Sequence, residues 1–441
     1  MSGQHGAEPV DWPTLIGEAT QHVVLEVADV NGFLRGKIYT RSAFLRHMQA
    51  GAPAMAGGLL LFDFVDVMQY NSEFGEAGGF KDAYFAPDPS TVGVMDQYPA
   101  PVARVMCDLQ RADGEFLEFG SRQVLRCVMD RWKNTGLRPQ AGLELECHVL
   151  RQEPQRNLSH VTYDVGGALA TLPYFTELTH RMNGLGVELG CWHTEPTHLY
   201  ELNSGYGDPI AVADGNARLK EVARQLGLEM GLDVSFMAKP VTGEEGASGH
   251  IHLSMLDADG NDAFDGDLDS GGKPAVLYHA IGGILACLPD MALLYGPTIN
   301  SYKRVRPGWY TPLAATWGHD DRRAAARVKR DLSGSTRIEF RRSGADVNPY
   351  LALAALLGSA WLGVRDRIDP GPALEQLPEE SARKLPKTLV EALQRFRDSE
   401  AAAELFGDAF VGFYADSREM EIENWLDTVS EWETGRYRRM V

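Results

Sequence analysis

The chain has 441 residues, 44% of them hydrophobic and 23% charged, and a formal net charge of −19. It can bury a sizeable core and is longer than one domain usually is, so two domains are the default expectation. The acidic balance argues against nonspecific binding to nucleic acid or an anionic membrane, which need an excess or a dense patch of Lys and Arg, and favours a small-molecule function.

The cysteines Cys107, Cys127, Cys147, Cys191 and Cys287 are scattered and form no CxxC pair, so they read as reduced core thiols rather than a disulfide framework or a zinc site. The N-terminus shows no basic region followed by an apolar stretch, and no eighteen apolar residues run uninterrupted. The expectation is a cytoplasmic, soluble protein.

In chain order, residues 1–110 hold short apolar runs such as HVVLEVADV and GKIYT, separated by the turn-forming DVNG and GEAGG, and read as a small β-rich domain. After Gly120 the apolar spacing lengthens in SRQVLRCVMDRWKN to that of an amphipathic helix. A second domain, residues 111–441, alternates strands (GLELECHVL, SGHIHLSML, STRIEFRRS) with helical segments (AVADGNARLKEVARQLGLEMG, PYLALAALLGSAWLGV). The fold class is α+β, an antiparallel sheet backed by helices, with a charged helical tail from Leu385 onward.

Glu144 and Glu146 are two apart in a strand and share one face. Neighbouring carboxylates repel, so the pair marks either a cation site or a water-screened strand face. The same period places His250, His252 and Ser254 together, and Arg337, Glu339 and Arg341 together. Three such strands point to the lining of one polar cavity. With Glu195 and Glu201, the carboxylates suit hard divalent ions, Mg²⁺ or Mn²⁺, over zinc. Arg304, Arg306, Arg322, Arg323, Arg327, Arg337, Arg341 and Arg342 cluster in sequence. They form either a basic surface patch or, beside metals, the guanidinium clamps of phosphoryl transfer.

Taken in order, PDPST, GLELECHVL, ASGHIHLS, INSYKRVRPG, DRRAAARV, TRIEFR and DVNPYLALAALL resemble the motif series of the glutamine synthetase family over nearly the whole chain. The resemblance implies an N-terminal β-grasp domain (1–110) and a catalytic domain (111–441) that binds ATP, glutamate and two to three divalent ions. It gives Glu146, Glu195 and Glu201 to the metal nearer glutamate, and Glu144, His250 and Glu339 to the metal bridging the ATP phosphates. Arg304 and Arg341 match groups that bind the glutamate α-carboxylate or the transferred phosphate, with Gly246 in the glutamate loop. Arg322, Arg327 and Arg337 match residues facing ATP, and His252 and Ser254 match nucleotide contacts. The implied chemistry is attack of the glutamate γ-carboxylate on the ATP γ-phosphate, then displacement of phosphate by an amine. The implied assembly is a homo-oligomer, a dodecamer of two stacked hexamers with sites shared between subunits.

Three departures bear on the substrate. PGWYTP puts Tyr310 where glutamine synthetases carry a glutamate that binds ammonium, and a neutral phenol cannot replace that carboxylate. The loop HTEPTHLYELN brings Glu195 and Glu201 closer together than in the family pattern, and Glu245 stands where an asparagine contacts glutamate. The apolar LLLFDFVDVMQY occupies the segment whose aspartate reaches the neighbouring subunit's amine site, with Asp63 and Asp66 as candidates. These features point to a γ-glutamyl-amine ligase using an alkyl or aromatic primary amine. An ammonia-using glutamine synthetase and a catalytically silent relative are the alternatives. PALEQLP lacks the family's regulatory tyrosine, which argues against control by adenylylation.

Overall fold

The computed structural model of the chain describes residues 10–61, 63–66, 74–151, 161–266, 274–308, 310–377 and 381–440. Its N-terminal part holds β1 (His22–Ala28), β2 (Leu34–Thr40), β3 (Ala54–Ala56), β4 (Asp82–Pro87), β5 (Gly93–Met95) and β6 (Val102–Gln110). They form one sheet in the order β2-β1-β6-β4-β3, with β5 also beside β6; β1 and β6 run parallel and the other pairs antiparallel. The β1–β2 turn follows from Asp29, whose Oδ1 accepts from the backbone N–H of Asn31 and Phe33, both at 2.9 Å. Val23, Leu25 and Val27 alternate along β1 and are fully buried or nearly so.

The remaining strands are β7 (Arg138–Arg151), β8 (Leu189–Thr194), β9 (Leu199–Ser204), β10 (Leu232–Ser235), β11 (Gly249–Leu256), β12 (Ala314–Ala315), β13 (Trp317–His319), β14 (Ala326–Arg330), β15 (Thr336–Phe340) and β16 (Arg383–Lys384). Eight of them form a sheet ordered β13-β14-β15-β11-β7-β9-β8, with β10 also on β7, while β12 pairs with β16. Pairing is antiparallel except between β13 and β14, where the expectation of a wholly antiparallel sheet fails. The turn after Asp320 carries the chain back to the start of β13, so that β14 runs beside it in the same direction.

Along β7, Leu143, Leu145, Cys147 and Val149 point into the core on the side of the helix Pro209–Glu229, so the charged alternate positions face away from it. The helices Ala275–Tyr295 and Pro349–Asp366 pack closely because glycines meet at their crossing: a Cβ on Gly283 would lie 2.1 Å from the Ser359 carbonyl, and one on Gly363 2.1 Å from that of His279. Ala275–Tyr295 is long and apolar enough to cross a membrane, yet most of it is buried within the protein, as a core helix is.

The N-terminal sheet is joined to the helices Ser121–Trp132 and Pro209–Glu229 by buried charge. Arg122 contacts Asp88 and Asp108 at 2.7 Å and Asp214 at 2.9 Å, and Arg218 joins Arg104 on Glu26. Asn348 caps the helix Pro349–Asp366 through Oδ1 and donates to the Asp29 carbonyl at 3.1 Å. Cys107, Cys147 and Cys287 are buried thiols, but Cys127 and Cys191 are exposed, correcting the expectation that all five lie in the core. Cys127 sits on the solvent side of an amphipathic helix and Cys191 on the edge strand β8, where a small apolar residue is tolerated in water.

Candidate active site

Strand register, rather than sequence proximity, assembles the site. His250 lies opposite Glu144 on β11 and β7, Glu201 opposite Glu146 on β9 and β7, and Glu339 opposite both His252 on β11 and Arg327 on β14. One sheet face thus carries acids and imidazoles at its centre and guanidinium groups toward β14. Around it, Glu195, Gly246, Arg304, Tyr310, Arg322 and Arg341 close a cleft of about 640 Å³. A second cavity of about 340 Å³ adjoins it, sharing Glu144 and Asn203, and is lined by His252, Ser254 and Arg337.

Asp63 lies in neither cavity of this chain. It is buried, its Oδ1 accepts from the Val65 N–H at 2.8 Å, and Arg35 pairs with nearby Asp66. Within the apolar stretch 59–70, residue 62 and residues 67–70 lie outside the described residues.

The carboxylates are close enough to disturb one another. His252 Nε2 is 2.8 Å and His250 Nδ1 3.6 Å from Glu144; burial pushes the Glu144 carboxyl up, but the two imidazoles outweigh it and hold it far below its ordinary range. Glu195 behaves oppositely: burial first, then the charge of Glu146, raises it to about 7 despite His193. Glu146 accepts a hydrogen bond from the Ser248 N–H.

Donor atoms of Glu144, Glu201 and His250 lie within 4.8 Å of one another, as do those of His193, Glu195 and Glu201. Oxygen-rich sets with one imidazole each suit hard or borderline divalent ions, and the mutual repulsion recorded at Glu195 is what a bound cation would relieve. The grouping differs from the one the motifs imply. Among the described residues Glu146 and Glu339 stand outside both clusters, and Glu201 belongs to both.

The basic side is equally constructed. Arg304 ends the short helix Ser301–Arg304, whose Ser301 hydroxyl donates to Asp346. It is buried and its Nη1 donates to the Arg342 carbonyl at 3.2 Å; burial brings the guanidinium down to about 10, although Glu146 favours its charge. Gly246 is required beside it, since a Cβ there would lie 2.4 Å from the Ala238 carbonyl and 2.9 Å from Arg304 Cγ. Arg327 reaches Glu339 at 2.7 Å and Arg341 binds the same carboxylate; burial raises the Glu339 carboxyl, but these cations and the imidazoles win and hold it at about 2.

The rest of the arginine cluster disperses. Arg306 is exposed, Arg323 pairs with Asp321 at the surface, and Arg342 is buried behind the site against Tyr302 and the Pro386 carbonyl. The motifs also missed members of the cleft: His193, Thr162, Tyr163 and Lys329. His193 Nε2 is 3.1 Å from Glu201, and Tyr163 lays its ring 4.5 Å from that imidazole. A signal existed for His193, because HxE at the end of β8 repeats the period-two logic used for the other strands.

Residues 118–437 match the family model described as glutamine synthetase, catalytic domain. The chain is 30% identical over 432 residues to a glutamate–isopropylamine ligase from Pseudomonas sp., covering 94% of each chain. It is 32% identical over 434 residues to a gamma-glutamylethanolamide synthetase from Streptomyces coelicolor, covering 94% of this chain and 92% of that one. Its fold superposes on ligand-free GmaS with a TM-score of 0.82 at 23% identity, covering 95% and 97% of the two chains. With the motif order, the cleft and these matches together, the chain belongs to the glutamine synthetase family.

Proposed function

We propose that the protein is an ATP-dependent ligase joining the γ-carboxylate of glutamate to an alkyl or aromatic primary amine. The observation that carries this reading is the division of one cleft into an acidic wall (Glu144, Glu146, Glu195, Glu201) and a basic wall (Arg304, Arg322, Arg327, Arg341). A carboxylate is a poor electrophile, and phosphorylation gives it a leaving group; this step requires two anions to approach, which the basic wall favours. Divalent ions, when bound, neutralise phosphate charge. Glu144, Glu201 and His250 would hold one, and His193, Glu195 and Glu201 another, with Glu146 between Ser248 and the amino-acid side.

The roles follow the positions. Arg304 and Gly246 orient the amino acid, Arg341 and Arg327 take the developing phosphate charge, and His252, Ser254 and Arg337 hold the nucleotide in the adjoining cavity. Tyr310, 69% exposed on the cleft rim, offers a phenol ring and no ammonium-binding carboxylate to the incoming amine. The names of the two ligases it resembles support an amine larger than ammonia. The N-terminal sheet, ending at Gln110 with the helix Arg41–Ala50 packed on it, supports a β-grasp domain over 1–110 and a catalytic domain over 111–441. Exposed Trp425, Leu426, Val429 and Trp432 near the C-terminus support a homo-oligomer.

The test uses glutamate carrying heavy oxygen in its γ-carboxylate, with ATP, Mg²⁺ and isopropylamine. One labelled oxygen should appear in each phosphate released, with ADP and a γ-glutamyl amide as the other products. Unlabelled phosphate, or AMP in place of ADP, would rule out the γ-glutamyl phosphate route.

A further inference from the structure

Lys329 is a cation in the cleft that no motif assigns. It follows Arg327 by two residues on β14, so both side chains leave the same face of the sheet, and it lines the acidic and basic cleft beside Glu339 and Arg322. Its partner in register on β15 is Arg337. Directly opposed side chains in an antiparallel pair have Cβ atoms about 5 Å apart, and like charges there are destabilising. One step along the same ladder the pairing is complementary, Arg327 opposite Glu339. The sheet therefore offers a matched pair followed by a mismatched one.

Little nearby offsets the mismatch. Among the described residues the Arg337 ion pair is with the exposed Asp331, at the long distance of 3.4 Å to Oδ2, while the other carboxylate oxygen accepts from the Ser333 and Ser335 N–H groups. The Lys329 side chain makes no hydrogen bond or ion pair among the described residues, its backbone being paired in the β14–β15 ladder. Opposed cations left this way in a cleft call for an anion between them. The location says which anion: Lys329 lines the cleft that holds Glu144 and Arg327, Arg337 lines the adjoining cavity with His252 and Ser254, and the two spaces share Glu144 and Asn203. An extended polyanion running from one cavity into the other would pass between Lys329 and Arg337.

We propose that Lys329 is a binding residue for the polyphosphate of a nucleoside di- or triphosphate, paired across the strands with Arg337. The inference rests on the nucleotide-using reading above and deepens it. A lysine ammonium suits this place because it is a compact charge on a flexible stem, able to follow a phosphate that changes position.

The experiment compares K329M and K329R with the unsubstituted protein by calorimetric titration with ADP in the presence of Mg²⁺, and by separate KM values for ATP and glutamate. K329M should weaken ADP binding and raise KM for ATP by about tenfold, as loss of one charged contact does, with KM for glutamate unchanged and most of the loss recovered in K329R. Without nucleotide, K329M should melt no lower than the unsubstituted protein, because the substitution removes a repulsion. Unchanged ADP affinity in K329M overturns the assignment of Lys329 alone. Equal losses for ATP and glutamate overturn it too, as general distortion of the site. No ADP binding by the unsubstituted protein overturns the nucleotide reading and this inference with it.

Discussion

His193 Nε2 lies 3.1 Å from Glu201 Oε1, and among the described residues Glu201 is the carboxylate common to both donor clusters of the cleft. The imidazole thus fixes the orientation of the group on which both clusters depend. Burial would lower the His193 ring, but the hydrogen bond to Glu201 and its charge prevail and raise it. H193A should weaken Mn²⁺ binding by at least about 10–100-fold, because it removes a donor of one cluster and the group that orients Glu201 for both. Titration of Mn²⁺ followed by paramagnetic resonance checks this, and unchanged affinity would refute the role.

Glu339 is buried between Arg327 and Arg341. Removing the carboxylate in E339A strips Arg341 of this anion and leaves Arg327 to the exposed Asp320, a loss of about 3–5 kcal/mol by precedent for buried pairs. Turnover should be abolished in E339A, and denaturant unfolding should show the loss of stability directly. E339Q, which preserves shape, should be inactive but closer to the unsubstituted protein in stability.

The join between the N-terminal sheet and the helix Pro209–Glu229 has its own pH signature. Burial pushes the Glu26 carboxyl up, but Arg104 and Arg218 prevail and lower it. A carboxylate with a depressed folded-state value stabilises the fold above its unfolded value of about 4.3, and that contribution is lost as pH falls through the folded-state value. E26Q should therefore melt well below the unsubstituted protein at neutral pH, and the gap should close as the solution is made more acidic than about pH 4. A gap that does not depend on pH would point to packing rather than charge.

Much of this site is readable in the sequence because the relevant strands advertise themselves. Glu144 with Glu146, His250 with His252 and Arg337 with Glu339 each repeat at period two, which any half-buried strand must show. What local pattern cannot supply is register. That Glu201 falls opposite Glu146 and Lys329 opposite Arg337 is decided by which strands neighbour one another, so neither the regrouped donor clusters nor the pairing of Lys329 with Arg337 could be read from spacing. Arg306, Arg323 and Arg342 disperse for another reason: all three lie in connections outside the strands, where no period fixes which way a side chain points. Asp63 and Asp66 sit in a segment without a periodic anchor, and Asp63 is not among the residues lining the cleft of its own chain.

Tyr310 has a left-handed backbone, φ 51°, and stands exposed at the cleft mouth. Exchanging its neutral phenol for a carboxylate in Y310E should favour ammonium over a larger amine. The ratio of kcat/KM for ammonia to that for isopropylamine should rise by about tenfold or more, the scale of discrimination set by one charged or polar contact in a pocket. No change in that ratio would remove Tyr310 from the determinants of amine choice.

The most direct test of the central claim is a panel of amines, ammonia, methylamine, ethanolamine, isopropylamine, benzylamine and putrescine, offered with glutamate, ATP and Mg²⁺ while phosphate release and product mass are followed. The account predicts γ-glutamyl amides of monoamines as the fastest products, ahead of both glutamine and γ-glutamylputrescine. Glutamine as the fastest product would contradict it.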